Sequence, residues 1–219
     1  MILNSNKWSA IILMLLLLNA CNGRNSSKQK SVENDLTTDS LQMRSGRSLD
    51  SNEWKCYALQ YDRICCPLNW QPDKQSNYLF YTQLEDSDLN TFFVVLRHDT
   101  LMNKLNLDNY LRALYVQLRE DTIELFKEYT LNELVFDDKK AFYGEFTTMI
   151  DDCLFLSFVM FTEVHGLVYD LTLKTPLKSR ELYRELFQDL LYNYKANGKF
   201  LFSESDELAS MRKIDITTF

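Results

Sequence analysis

The segment Cys153-Leu154-Phe155-Leu156-Ser157-Phe158-Val159-Met160-Phe161 is apolar at every position but one. It is about half the length of a bilayer-spanning helix, and its residues favour strand. A strand that is apolar at odd and even positions alike must be covered on both faces. It therefore predicts the centre of a sheet with a layer on either side. Everything around it has to supply those layers.

Its neighbours read as antiparallel partners. His165-Gly166 makes a turn, and residues 167–174 return with Leu167, Tyr169, Leu171 and Leu173 alternating against Val168, Asp170 and Thr172. That alternation predicts a half-buried strand. Upstream, 129–135 and 141–149 are strand-like, punctuated by Asp137-Asp138-Lys139 and Asp151-Asp152, both turn signals. Earlier still, 55–61 and 63–66 read as two short strands around a turn at Asp62. Pro67 and Trp70-Gln71-Pro72 break that run. Residues 78–84 and 91–98 form a further pair across an acidic turn.

Two stretches change period. Leu107, Leu111, Leu114, Tyr115 and Leu118 fall on one helical face, with Asn106 as N-cap and Asp108 in the first turn. Thr175-Pro176 reads as the start of a second helix, whose apolar face is Leu182, Leu186, Phe187, Leu190 and Tyr194 and whose end is Asn197-Gly198. The order is β-β-β-β-α-β-β-β-β-α, without strand-helix-strand alternation. This predicts an α+β fold, an antiparallel sheet flanked by two main helices.

The amino terminus is an address. A short polar stretch carrying Lys7 precedes an unbroken apolar run from Ala10 to Leu18. That is the pattern of a secretory signal covering residues 1–20. Leu18-Asn19-Ala20-Cys21 resembles the lipobox of bacterial lipoproteins, which implies that Cys21 receives the lipid. The competing reading is an ordinary signal peptide with a stray cysteine. Residues 21–50 carry no aromatic residue and are rich in Ser, Asn, Lys, Arg and Asp. They read as a flexible linker that reaches roughly 30 Å. Asn22-Gly23-Arg24-Asn25 is not acidic, so the expected position is periplasm-facing in the bacterial envelope. Residues 51–198 make the domain, and 199–219 a mixed tail.

Charge narrows the partners. Lys and Arg number 24 against 31 Asp and Glu, a net −7. Without residues 1–20 the balance is 23 against 31, or −8. A nucleic-acid binder needs clustered positive charge, so no nucleic acid is expected. The expected partners are the membrane, through the lipid, and another envelope protein.

The domain resembles the PsbP-like superfamily, which includes the photosystem II extrinsic PsbP proteins, the Ran-binding Mog factor and envelope lipoproteins such as DcrB. Three features carry the likeness: Arg63-Ile64-Cys65-Cys66-Pro67-Leu68-Asn69-Trp70, the helix entry Asn106-Leu107-Asp108-Asn109-Tyr110-Leu111, and Leu167-Val168-Tyr169-Asp170-Leu171-Thr172-Leu173 leading into the helix that carries Tyr183 to Leu191. The likeness covers about residues 51–196. It implies an α/β/α sandwich and a protein-binding role without shared catalytic residues.

Several constellations bear on chemistry. Asp86-Ser87-Asp88-Leu89-Asn90 has calcium-loop spacing, but Thr91 and Arg97 stand where such a loop needs Gly and Glu. Asp137-Asp138 and Asp151-Asp152 read as turns. His98 and His165 lack companions at metal-ligand spacing, and no Gly-x-Ser-x-Gly elbow is present. No catalytic residue, metal ligand or cofactor is expected. Besides Cys21 there are four cysteines. In a hairpin about Asp62, Cys56 faces Cys65 or Cys66 for a disulfide, whereas Cys65 and Cys66 point to opposite faces. Tyr78, Phe80, Tyr81, Phe92 and Phe93 form an aromatic cluster that reads as core or as the lining of a cavity. The expected function is a membrane-tethered, non-catalytic binding or accessory module; the alternatives are a small-ligand or lipid carrier and, behind it, a hydrolase.

Overall fold

The computed structural model describes residues 53–73, 78–83, 90–99, 106–121, 126–150, 153–176, 180–202 and 206–215. Cys21, the linker, Asp86 to Leu89 and Asp151-Asp152 lie outside them. The elements in chain order are β1 (Trp54–Ala58), β2 (Arg63–Pro67), β3 (Gln71–Pro72), β4 (Leu79–Gln83), β5 (Asn90–Asp99), α1 (Leu107–Asp121), β6 (Phe126–Phe136), β7 (Lys140–Ile150), β8 (Cys153–Val164), β9 (Leu167–Pro176), α2 (Arg180–Tyr192), β10 (Lys195–Ala196), β11 (Lys199–Phe200) and β12 (Leu208–Lys213).

The two-faced strand β8 sits inside an eight-stranded antiparallel sheet of order β12-β6-β7-β8-β9-β5-β4-β3. Its even residues Leu156, Phe158 and Met160 face one apolar cluster, and Val159 and Phe161 face another. The second cluster is closed by Leu107, Tyr110 and Leu111 of α1. The first is closed by α2 and by a separate four-stranded sheet, β1-β2-β10-β11, through Ile64, Cys66 and Ala196. The fold is thus α+β and mostly antiparallel sheet. The layer on the α2 side is part helix and part sheet, because one amphipathic helix is too narrow to cover so wide a sheet.

Phe187 anchors α2. It is fully buried, with ring centroids 6.0 Å from Phe158, 6.2 Å from Tyr143 and 6.3 Å from Phe93. Burial of such a ring contributes roughly 2–3 kcal/mol. Leu182, assigned above to the apolar face, is 59% exposed. The entry of α1 is doubly capped. Asn106 Oδ1 accepts from the Asn109 amide at 2.8 Å, and Glu163 Oε2 accepts from the Leu107 amide at 3.1 Å. A carboxylate at that end also meets the positive pole of the helix.

Local signals misplace three boundaries and the burial of one strand. Thr175-Pro176 ends β9, with Pro176 opposite Phe155, and α2 starts later, at Arg180. Asn197-Gly198 does not end the helix. Both residues have positive φ, 49° and 80°, and they form the two-residue turn between β10 and β11. Asn-Gly is the preferred pair for such a hairpin turn. Strand β9 is buried on both faces, not half-buried, because Val168 packs in the cluster under α1 and Asp170 is bonded by Tyr110 of that helix. Residues 199–219 do not form a separate tail: β11 and β12 belong to the sheets, and β12 forms an edge against β6 with a bulge between Leu208 and Ser210. At the other edge, β3 is two residues long and contains Pro72, which an edge position tolerates.

Gly144 sits on β7 where side chains and backbone of β6, β7 and β8 leave no room for a Cβ. A Cβ there would lie 2.7 Å from Phe146 Cε2, 3.0 Å from Val159 Cγ2 and 3.1 Å from the Thr130 carbonyl. The Gly144→Ala chain should lose about 1–3 kcal/mol of stability, the usual cost of overpacking. Urea unfolding of both chains checks this, and an unchanged midpoint contradicts it.

Candidate functional site

The β1–β2 hairpin brings Cys56 opposite Cys65, and the two form a disulfide with Cα atoms 4.0 Å apart. Cys66 points the other way, into the core, where burial pushes its thiol pKa up and leaves it inert. The side chain of Cys153 lies outside the described residues.

The same hairpin carries a buried carboxylate. Asp62 accepts from the Tyr194 hydroxyl at 2.8 Å, the Tyr169 hydroxyl at 3.3 Å and the Asn197 amide at 3.2 Å. Arg97 Nη1 is 3.5 Å away as its ion-pair partner. These donors come from β9, the segment after α2, the β10–β11 turn and β5. Burial, and then the nearby Asp62 charge, push the Tyr169 hydroxyl pKa up to about 12 and raise that of Tyr194 still more. Both therefore stay protonated and keep donating.

A second carboxylate lies under α1. Asp170 Oδ2 accepts from the Tyr110 hydroxyl at 2.8 Å, and Oδ1 from Thr172 Oγ1 at 3.0 Å. Burial raises its pKa from 3.8 to about 6, opposed by these two hydrogen bonds. The ring of Tyr110 also packs on His98 at 4.8 Å. Burial lowers the His98 pKa, and its Nε2 has no hydrogen-bond partner among the described residues. The arrangement keeps a neutral imidazole and a weakened acid side by side under one helix.

A third lies on the opposite face of the sheet. Glu145 on β7 takes a two-pronged contact from Arg184 on α2, Nε to Oε1 at 2.7 Å and Nη2 to Oε2 at 3.1 Å. Tyr143 donates to the same Oε1 at 3.1 Å. Beside them on β6, Thr130 Oγ1 and Asn132 Nδ2 have no partner among the described residues. All three carboxylates are engaged by donors of the chain itself.

The remaining candidates are scattered. Asp137 and Asp138 are exposed in the β6–β7 turn. His165 is exposed in the β8–β9 turn at φ 53°, at the end of the sheet where His98 stands opposite Val168. The aromatic cluster is divided between two faces, since Phe80 pairs with Phe93 and Tyr81 with Phe92 on neighbouring register positions. Phe80 and Phe93 are fully buried core, Phe80 against Tyr57 at 5.1 Å. Among the described residues, no three His, Cys, Asp or Glu side chains converge as a metal site. No helix there is long and apolar enough to cross a membrane. In the sequence Asp62 reads as a turn residue and Asp170 as a polar position of an alternating strand, and nothing local singles out Glu145.

No protein-family model matches the sequence, and no curated protein matches it. The chain is similar in backbone to solved structures at low identity. Cyanobacterial PsbP (CyanoP) from Synechocystis sp. PCC 6803 is 13% identical, with TM-score 0.46 over 70% of this chain and 98% of that one. A protein of unknown function from Pseudomonas aeruginosa is 13% identical, with TM-score 0.41 over 64% and 94%. A Bacteroides thetaiotaomicron VPI-5482 protein is 11% identical, with TM-score 0.38 over 62% and 45%.

Two outcomes follow from the carboxylates. Asp62→Ala strands two buried tyrosine hydroxyls and removes the ion-pair partner of the partly exposed Arg97, so it should cost about 1–3 kcal/mol for each stranded hydroxyl, read as a lowered unfolding midpoint. Asp170 has a folded pKa above its unfolded value, so the unfolded chain releases its proton first as pH rises. The Asp170 contribution to stability should be fully present below about pH 4 and be lost as pH climbs to about 6. That fall, on the order of 2–3 kcal/mol, should vanish in Asp170→Asn; denaturant titrations across the window would reveal an undiminished slope if the assignment is wrong.

Proposed function

We propose that the chain is a bacterial envelope lipoprotein, anchored by lipid on Cys21, whose domain of PsbP-like type is a non-catalytic protein-binding or accessory module. One observation carries the reading: a cysteine placed directly after a short apolar run in Leu18-Asn19-Ala20-Cys21. Three acyl chains on that residue would hold the protein firmly, since each buried CH₂ contributes about 0.8 kcal/mol. The Cys56–Cys65 disulfide supports an oxidising compartment beyond the cytoplasm.

The non-catalytic part rests on the carboxylates. Asp62, Asp170 and Glu145 spend their acceptor positions on tyrosine, threonine, arginine and backbone donors. A general base needs a free acceptor within reach of substrate. These groups instead join secondary-structure elements.

Metabolic labelling with a radioactive fatty acid tests the anchor. The wild-type chain should incorporate label and fractionate with membranes. Cys21→Ala should incorporate none and appear in the soluble envelope fraction. Label retained by the variant would place the lipid elsewhere and remove the basis of the reading.

A further inference from the structure

The four-stranded sheet carries a row of residues across all its strands. Ala58 stands opposite Arg63, Arg63 opposite Lys195, and Lys195 opposite Phe200. Directly opposed residues share a face. The other face of this sheet, through Ile64 and Cys66, is buried in the core. The row therefore looks outward.

Its composition is unlike that of the chain as a whole. The protein is acidic, at −7, yet the outward row presents Arg63 and Lys195, while Lys55 and Lys199 stand on the sheet's outer strands opposite the core residues Cys66 and Ala196. Among the described residues none of these four has an acidic partner within ion-pair distance. Aromatic and aliphatic groups stand among them. Phe200 is 47% exposed, with Lys195 Nζ 4.3 Å above its ring, while Tyr61 in the β1–β2 turn is 56% exposed and Leu68 just past β2 is 51% exposed. These are three of the five large apolar side chains that the described surface exposes.

We propose that the outward face of this sheet docks on anionic lipid headgroups, laying Arg63, Lys195 and Phe200 against the membrane surface. The inference rests on the lipid-anchored reading above, and two features single out a membrane over an acidic protein. Cations interleaved with exposed aromatic rings match a bilayer interface, where the rings sit at headgroup depth and the cations meet the negative surface. The segment that follows Cys21 also enters the fold at β1, an edge strand of this same sheet. A lipid on Cys21 would keep the face at high local concentration beside the bilayer. The acidic remainder of the chain is repelled by an anionic surface, so it turns away. The linker then does not leave orientation free: charge selects it.

The test uses the full chain carrying Phe200→Trp, incorporated into vesicles with bromine-labelled acyl chains. One set is phosphatidylcholine alone, and the other is phosphatidylcholine and phosphatidylglycerol in equal parts. Emission added by the new tryptophan should be quenched in the anionic vesicles and not in the neutral ones. The docked-to-undocked ratio should fall about tenfold or more in Arg63→Glu/Lys195→Glu, since each cation near an anionic surface is worth roughly a fivefold effect. Added salt should release the face of the unaltered pair in the same way, which keeps the test valid if the double variant folds poorly. Quenching that is absent in anionic vesicles, or equal in both sets, overturns the docking face. A chain that floats with both vesicle types yet shows no quenching loses the face and keeps the anchor. One that floats only with anionic vesicles, and is quenched there, keeps the face and loses the anchor.

Discussion

One buried carboxylate joins the two sheets. Asp62 sits at the tip of the β1–β2 hairpin and is bound by side chains and backbone from four other parts of the chain. Among the described residues, Lys139 Nζ also donates to the Leu201 carbonyl at 2.9 Å, and apolar contact through Ile64, Cys66 and Trp70 fills the junction. Apolar packing sets how closely the layers approach, but it tolerates sliding. A charge that must meet Arg97, Tyr169, Tyr194 and the Asn197 amide at once does not. The Cys56–Cys65 disulfide closes a short loop that contains Asp62, which limits how far this residue strays before its partners arrive.

The other two buried carboxylates repeat the device on opposite faces of the large sheet. Asp170 holds α1 through Tyr110, and Glu145 holds α2 through Arg184. Each helix thus carries one polar lock as well as an apolar stripe. The locks differ in chemistry. Glu145 meets a guanidinium in a two-pronged contact. Asp170 meets only hydroxyls, so burial costs it more and its acid strength weakens.

Much of this architecture was legible from periodicity. The doubly apolar run of β8 demanded a covered central position, and Asn106 announced its own helix by supplying the cap. What failed had identifiable causes. Thr175-Pro176 has the local chemistry of a helix start, yet pairing with Leu156 and Phe155 extends the strand through it. Asn197-Gly198 satisfies helix ends and hairpin turns equally, and only the pairing of β10 with β11 decides between them. Asp170 looked solvent-facing because polar residues in an alternating strand usually are; nothing local reveals that a helix distant in sequence will cover it. The clasp at Asp62 was illegible for the same reason, since its partners are spread from residue 97 to residue 197.

The large sheet also controls what it cannot do. An antiparallel sheet of this width offers two rows of backbone donors and acceptors to any passing strand. Here one border is β3, cut to two residues by the ring of Pro72. The other is β12, interrupted by its bulge and lined with the exposed cations Arg212 and Lys213. Neither border offers a long, flat, uncharged template. Crowding on a surface raises encounter rates between copies, and proteins with open borders respond by growing fibres. A molecule with blunted borders can be packed densely in two dimensions and remain a population of separate units.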